Sequence, residues 1–185
     1  MTRIAIVVGS VRPGRYSRAV ADWVLAAAKD RDDAEFELVD LADHPLPHLD
    51  EPVPASAGSY ANAHTKAWAE VIGGFDGFVF VTPEYNHSTS GVLKNAIDYL
   101  FAEWNNKAAG FVSYGVSGGV RAVEHLRLVA AEVKLATVRA QVGLLFHNDF
   151  ENFVTLTPQP HQVAALTATL DDVVAWSSAL APLRA

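Results

Sequence analysis

Four polar side chains follow the first apolar run within eight residues: Ser10, Arg12, Arg15 and Ser17, in the stretch VVGSVRPGRYSRAVADWV that begins at Val7. Two hydroxyls and two guanidinium forks stand directly before a helix-like pattern of alanines and valines. Such a set suits an anion, because hydroxyls and forks donate strong hydrogen bonds and a helix start adds free amides and the positive end of its dipole. The anion it suits best is a terminal phosphate. Gly9 and Gly14 are spaced as in a P-loop, but Arg15-Tyr16 stands where Lys-Ser/Thr is required. Nucleoside triphosphate chemistry is therefore poorly supported, and the G-x-G-x-x-G of dinucleotide folds is missing. A solvated turn whose arginines pair with surface acids fits the same spacing.

Two further loops carry chemistry. Pro83-Glu84-Tyr85-Asn86 follows another apolar run. Its backbone and amide groups suit the edge of a flat heterocycle, with Tyr85 packing beside it. An ordinary turn that opens a helix at Ser90 fits those residues equally well. Lys94 and Asp98 are four apart and read as a surface pair. Gly115-Val116-Ser117-Gly118-Gly119 spells G-x-S-x-G, with Asp149 and His161 downstream in hydrolase order. Against a hydrolase stand the small sheet, the lack of an upstream H-G-G-G and the two unused arginines. Glycines that let backbone approach a planar ligand are the simpler reading.

Other site chemistries are poorly supported. Ser10 and Thr82 occupy the places where a receiver domain needs acids. His44 and His48 are separated by Pro45 and Pro47, which precludes a regular helical ligand pair, so no metal site is expected. There is no cysteine, which excludes disulfides, iron–sulfur clusters and thiol catalysis. The net charge of −7 over 185 residues argues against a nucleic-acid surface and makes the two loop arginines conspicuous. The N-terminus lacks a signal peptide's pattern and no apolar run reads as a membrane span, so a cytoplasmic protein with no membrane partner is expected.

The elements that must position these loops follow from periodicity. Apolar runs at Arg3–Val8, Phe78–Thr82, Ala108–Tyr114 and Val138–Leu145 lack alternation, as strands covered on both faces do. Glu35–Val39 alternates more and is placed at an edge. Between them run helical faces, among them Val20, Trp23, Val24 and Ala27, then Val92, Ala96 and Leu100, and later Leu166, Leu170 and Val174. The strand–helix alternation predicts one α/β domain over residues 1–185, a three-layer sandwich on a five-stranded parallel sheet in the flavodoxin-like order 2-1-3-4-5. In such sheets ligands bind beyond the carboxyl ends of the strands, where all three loops converge. The proline-rich segment from Ala42 to Ser59 reads as a surface loop.

Together, GSVRPGRYS, PEYNHSTSGVLKNAIDYL and YGVSGGVRAVEHLR resemble the NADPH-dependent FMN reductase family, the flavodoxin-like group of azo, quinone and chromate reductases. The resemblance covers about the first seven-tenths of the chain. It implies that Ser10, Arg12, Arg15, Tyr16 and Ser17 surround the phosphate of FMN. It places Pro83, Glu84, Tyr85 and Asn86 along the isoalloxazine ring, and Gly115, Ser117, Gly118 and Gly119 at its other edge. Two positions depart from the family pattern: Ser90 stands where proline often precedes the glycine that opens the third helix, and Ser17 where many members carry asparagine. NADPH or NADH would reduce the flavin, and a quinone, azo compound or flavin would take the electrons. No side chain need act as acid or base. A flavodoxin-type electron carrier is the alternative, although such carriers use Ser/Thr-rich phosphate loops and aromatic walls. The resemblance also implies a homodimer or homotetramer. In support, Phe101 and Trp104 cannot both follow Leu100 onto the sheet, which predicts an aromatic patch that either marks a subunit boundary or is covered within one chain by the loop around Ala42–Ser59 folding back.

Overall fold

The computed structural model describes residues 1–184. Five parallel strands form the sheet: β1 (Thr2–Val8), β2 (Ala34–Asp40), β3 (Gly77–Pro83), β4 (Lys107–Gly115) and β5 (Leu135–Leu145), in the order β2-β1-β3-β4-β5. This is the expected topology, with the alternating strand at an edge. Because successive side chains leave a strand on opposite faces, β1 divides its residues between two cores. Ala5 and Val7 join Phe78 and Phe80 of β3 on one face, while Ile4, Ile6 and Val8 join Val79 and Val81 on the other.

Helices α2 (Ala63–Gly73), α3 (Gly91–Asp98) and α4 (Val120–Glu132) cover the first face through Trp68 and Ile72, Leu93 and Ala96, and Val123 and Leu126. Helix α1 (Ser17–Ala28) and the C-terminal helix cover the second through Val20 and Val24, and Leu166 and Leu170. Two features after β5 have no counterpart in the sequence reading. A short turn, α5 (Phe146–Asp149), leads into a two-stranded hairpin, β6 (Phe150–Glu151) and β7 (Thr155–Leu156), before helix α6 (Pro160–Leu180). By length and composition alone α6 and its 3-10 extension are apolar enough to cross a membrane, a test that core helices also pass. In the fold its Leu166, Leu170 and Val173 are seated against the sheet.

The expected aromatic patch is not on the surface. Trp104 is buried, packs edge-on against Phe78 with centroids 4.9 Å apart, and donates from its indole N–H to the Ile97 carbonyl at 3.1 Å. A 3-10 turn over Ala102–Trp104 ends the helical path and re-aims the indole inward, so helical spacing from Leu100 misplaces it. The segment after Ala42 folds back over this region. The Tyr99 hydroxyl donates to the Asp50 carboxylate at 2.9 Å and lies 3.1 Å from the Pro47 carbonyl.

Candidate functional site

Glycine begins the site because nothing larger fits. An added Cβ at Gly9 would lie 2.6 Å from the Val81 carbonyl oxygen, where the end of β1 crosses β3. The Gly9 amide donates to that oxygen at 2.8 Å, and the buried Ser90 hydroxyl donates to the Gly9 carbonyl. Ser90 also caps α3, accepting from the Leu93 amide at 3.3 Å. One serine therefore locks the first loop to the start of α3.

The first loop then presents its donors. Ser10 is buried and its hydroxyl lies 2.9 Å from that of Tyr85. Arg12 is exposed, with its guanidinium 5.9 Å from the Tyr85 ring centroid and no carboxylate within ion-pair distance among the described residues. Helix α1 starts at Ser17 with no side-chain cap on its first amides. The Ser17 hydroxyl is fully buried and has no hydrogen-bond partner. The first amides of α1 therefore have no side-chain acceptor, and a helix start in that state favours an anion.

Arg15 and Tyr16 are differently engaged. Arg15 is 2.6 Å from the buried Asp40 carboxylate at the end of β2, with Arg18, the second residue of α1, at 3.7 Å from the same group. Tyr16 donates to the Phe153 carbonyl at 2.8 Å and packs edge-on against Phe146 and Phe150, with centroids 5.5 Å away in both cases. Both side chains hold the loop in place from outside. Asp40 was absent from the sequence reading, although a carboxylate ending β2 at the ligand end of the sheet is a usable signal.

The second loop turns tightly. Tyr85 and Ser88 exchange backbone hydrogen bonds at 2.9 and 3.2 Å, and Asn86 and His87 between them have φ of 50° and 72°. These are the signs of a turn with two left-handed central residues, a conformation asparagine tolerates well and glycine most easily. Glu84 is engaged by α4. Its carboxylate accepts from the Arg121 amide at 3.2 Å and pairs with the Arg121 guanidinium at the start of α4, where the helix dipole favours it. The Tyr85 ring likewise turns toward Ser10 and Arg12. What Pro83, Glu84, Tyr85 and Asn86 offer a planar ligand is therefore mainly backbone.

The third loop comes within van der Waals reach of the second: a Cβ on Gly115 would lie 3.6 Å from Glu84 Cβ. Gly119 has φ of 71°, and a Cβ there would sit 2.7 Å from Ser113 Cβ, so the loop must run close to β4. The Ser113 hydroxyl donates to the Gly118 carbonyl at 2.6 Å and holds it there. Ser117 is exposed. Asp149 is fully buried and accepts from the amides of Leu145 and Gln159 at 2.8 and 3.0 Å, so it braces the β5–α6 connection and forms no triad with His161.

Ser10, Arg12, Tyr85 and Ser90 line one open cavity of about 580 Å³, with Leu46 and Pro47 of the folded-back loop on its wall. The donor set, the orphaned Ser17 hydroxyl and the glycine-lined backbone fit a ligand with a phosphate at one end and a flat ring at the other. Among the described residues no cluster of three His, Cys, Asp or Glu side chains has metal-binding geometry.

Comparison with known proteins follows the same outline. The model of the NADPH-dependent FMN reductase family matches residues 2–149. An NAD(P)H-dependent FMN reductase of Schizosaccharomyces pombe is 41% identical over 149 residues, which cover 80% of this chain and 74% of that protein. An NAD(P)H:quinone oxidoreductase of Solanum tuberosum is 36% identical over 138 residues, 72% of this chain and 69% of the relative. The structure of the flavoenzyme NAD(P)H:(acceptor) oxidoreductase FerB from Paracoccus denitrificans superposes with a TM-score of 0.75 at 23% identity, over 96% of this chain and 98% of that one. At that identity the likeness speaks for the fold.

Proposed function

Since this chain belongs to the NADPH-dependent FMN reductase family, we propose that it is an FMN-dependent oxidoreductase that takes electrons from NADPH or NADH and delivers them to small-molecule acceptors, quinones and azo compounds among them. The observation that carries this reading is the uncapped start of α1 with the orphaned Ser17 hydroxyl, in a loop whose Arg12 has no carboxylate partner among the described residues. When bound, FMN supplies the hydride-accepting and electron-releasing chemistry, which the twenty side chains lack.

The chain's own residues then have positional tasks. Arg12, Ser10, Ser17 and the α1 amides hold the phosphate, and Arg15 and Tyr16 keep their loop in shape from behind. Backbone of Pro83–Asn86 and of Gly115, Ser117, Gly118 and Gly119 borders the ring, with Glu84 and Arg121 clamping those two loops together. No side chain among them is arranged as a general acid or base.

A carrier of the flavodoxin type fits less well. Its flavin would be walled by aromatic rings, whereas Tyr85, the aromatic residue of the second loop, bonds to Ser10. The site is left open for a second small molecule. Assay of the flavin-loaded protein with both nicotinamides and a quinone tests the reading: turnover supports it, and electron transfer confined to protein partners supports the carrier.

A homo-oligomer, dimer or tetramer, is part of the proposal. Its support is the family resemblance and the exposed apolar side chains Val120 and Leu128 on α4, 42% and 73% exposed. Sedimentation at micromolar concentration tests it, and a monomer with full activity contradicts it.

A further inference from the structure

At the lip where the second loop meets α4 stand two imidazoles with no part in the arrangement above. His87 occupies the second central position of the Tyr85–Ser88 turn at φ of 72°, where glycine is the inexpensive residue. The turn throws its side chain clear, and the residue is exposed. His125 stands on α4, also exposed, one turn beyond Arg121. Its Nδ1 is 2.9 Å from the Ser88 hydroxyl, and the two imidazole centroids are 6.2 Å apart.

The surrounding contacts prepare this pair for a ligand. Ser88 uses its amide and carbonyl in the turn, so its hydroxyl is its free donor; in the tautomer that accepts this hydroxyl at Nδ1, His125 carries its proton on Nε2 and can donate it to a ligand. The neighbouring charges are already matched. Arg121 pairs with Glu84, Lys94 with Asp98 at 2.6 Å, and Glu124 lies 4.0 Å from Arg127. Among the described residues no carboxylate lies within ion-pair distance of His87 or His125. Two N–H···O bonds of about 2.8 Å to adjacent oxygens of one tetrahedral anion span a gap of this size.

We infer that His87 and His125 together form a binding site for a tetrahedral oxyanion carried by the molecule that reacts at the ring, either the 2′-phosphate of NADPH or a sulfonate on an acidic acceptor. The inference rests on the reductase reading for the location of the ring, since residues 83–86 and α4 border it there.

The test uses His87→Asn, because asparagine keeps the left-handed turn, and His125→Gln, which keeps a polar side chain on the helix. Two ratios of kcat/KM are measured on each FMN-loaded variant: NADPH over NADH with an uncharged naphthoquinone, and sulfonated over plain naphthoquinone with NADH. Either substitution should lower one ratio about tenfold, as loss of a charge-assisted hydrogen bond does. A fall in the first ratio assigns the anion to NADPH, and a fall in the second assigns it to the acceptor. Independently of turnover, the ring resonances of His87 and His125 in the purified protein should shift with adenosine 2′,5′-bisphosphate or with the sulfonated quinone. If neither ratio moves in either variant and neither titration shifts those rings, the site does not exist. Failure of the wild type to bind FMN would instead overturn the reductase reading, with the ring titrations still reporting on the anion.

Discussion

The hydroxyls of Ser10 and Tyr85, carried on loops that leave different strands, lie 2.9 Å apart. This contact joins the anion-binding loop to the loop that borders the ring. It also turns the Tyr85 ring beneath Arg12, whose guanidinium is 5.9 Å from the ring centroid. The tyrosine is thus a support for the phosphate end, and Tyr85→Phe should weaken FMN several-fold without abolishing binding, an outcome measurable by fluorescence quenching. Loss of all flavin binding in that variant would mean the hydroxyl contacts the cofactor directly.

Arg12 and Arg15 should behave differently, although they sit in one loop. Arg12→Ala is expected to weaken FMN about ten- to hundredfold while leaving riboflavin almost unaffected, as for loss of a hydrogen bond to a charged group. Titration of both ligands against both proteins checks this. Equal losses for FMN and riboflavin would show that Arg12 does not touch the phosphate.

Arg15 is engaged by Asp40, so the corresponding change acts on stability. Asp40→Ala leaves the largely buried Arg15 fork without its carboxylate, 2.6 Å away in the native fold. The expected loss is about 1–3 kcal/mol, between the values for exposed and fully buried pairs because the fork retains some contact with water. Urea unfolding measures it. An unchanged midpoint would show that solvent replaces the carboxylate at no cost.

These two arginines also show how far the sequence could be read. Strand order and the meeting of three loops follow from apolar runs and turn residues, because parallel strands buried on both faces leave an unmistakable pattern. The partner of Arg15 does not, since Asp40 lies on another strand and the pairing depends on sheet register. Helical spacing continued past Asp98 places Trp104 on the surface, but the helix ends there and a 3-10 turn re-aims the indole inward, while Phe101 stays partly exposed. The hairpin after β5 escaped notice because Asn152 and Phe153 make its turn with φ of 51° and 60°, without the glycine that usually signals one.

Lys107, at the opposite end of β4, gives a pH signature. It is buried, with its ammonium nitrogen 3.0 Å from the Ile72 carbonyl at the end of α2. Burial, helped by the charge of Arg184, pushes its pKa down to about 8. The unfolded chain holds that proton to roughly pH 10.4. Between these values the unfolded state binds more protons, so stability should rise with pH, by no more than about 3 kcal/mol. The window to measure is about pH 8 to 9.5, before tyrosines of the unfolded chain ionise near pH 10. Denaturant unfolding should show the rise in the wild type and not in Lys107→Met. A flat profile in both would mean the lysine stays charged in the fold.

Ser117 should remain unlabelled by fluorophosphonate probes, because Asp149 is committed to the backbone amides of Leu145 and Gln159. Labelling that disappears in Ser117→Ala would restore the hydrolase.

The central claim is that electrons pass from nicotinamide to acceptor only through FMN held on these three loops. Its most direct measurement is NADPH-dependent quinone reduction by the purified protein, stripped of flavin and then titrated with FMN. The account predicts negligible turnover without flavin, activity rising in proportion to bound FMN, and saturation at one FMN per chain. Equal activity without flavin, or none with FMN fully bound, would contradict it.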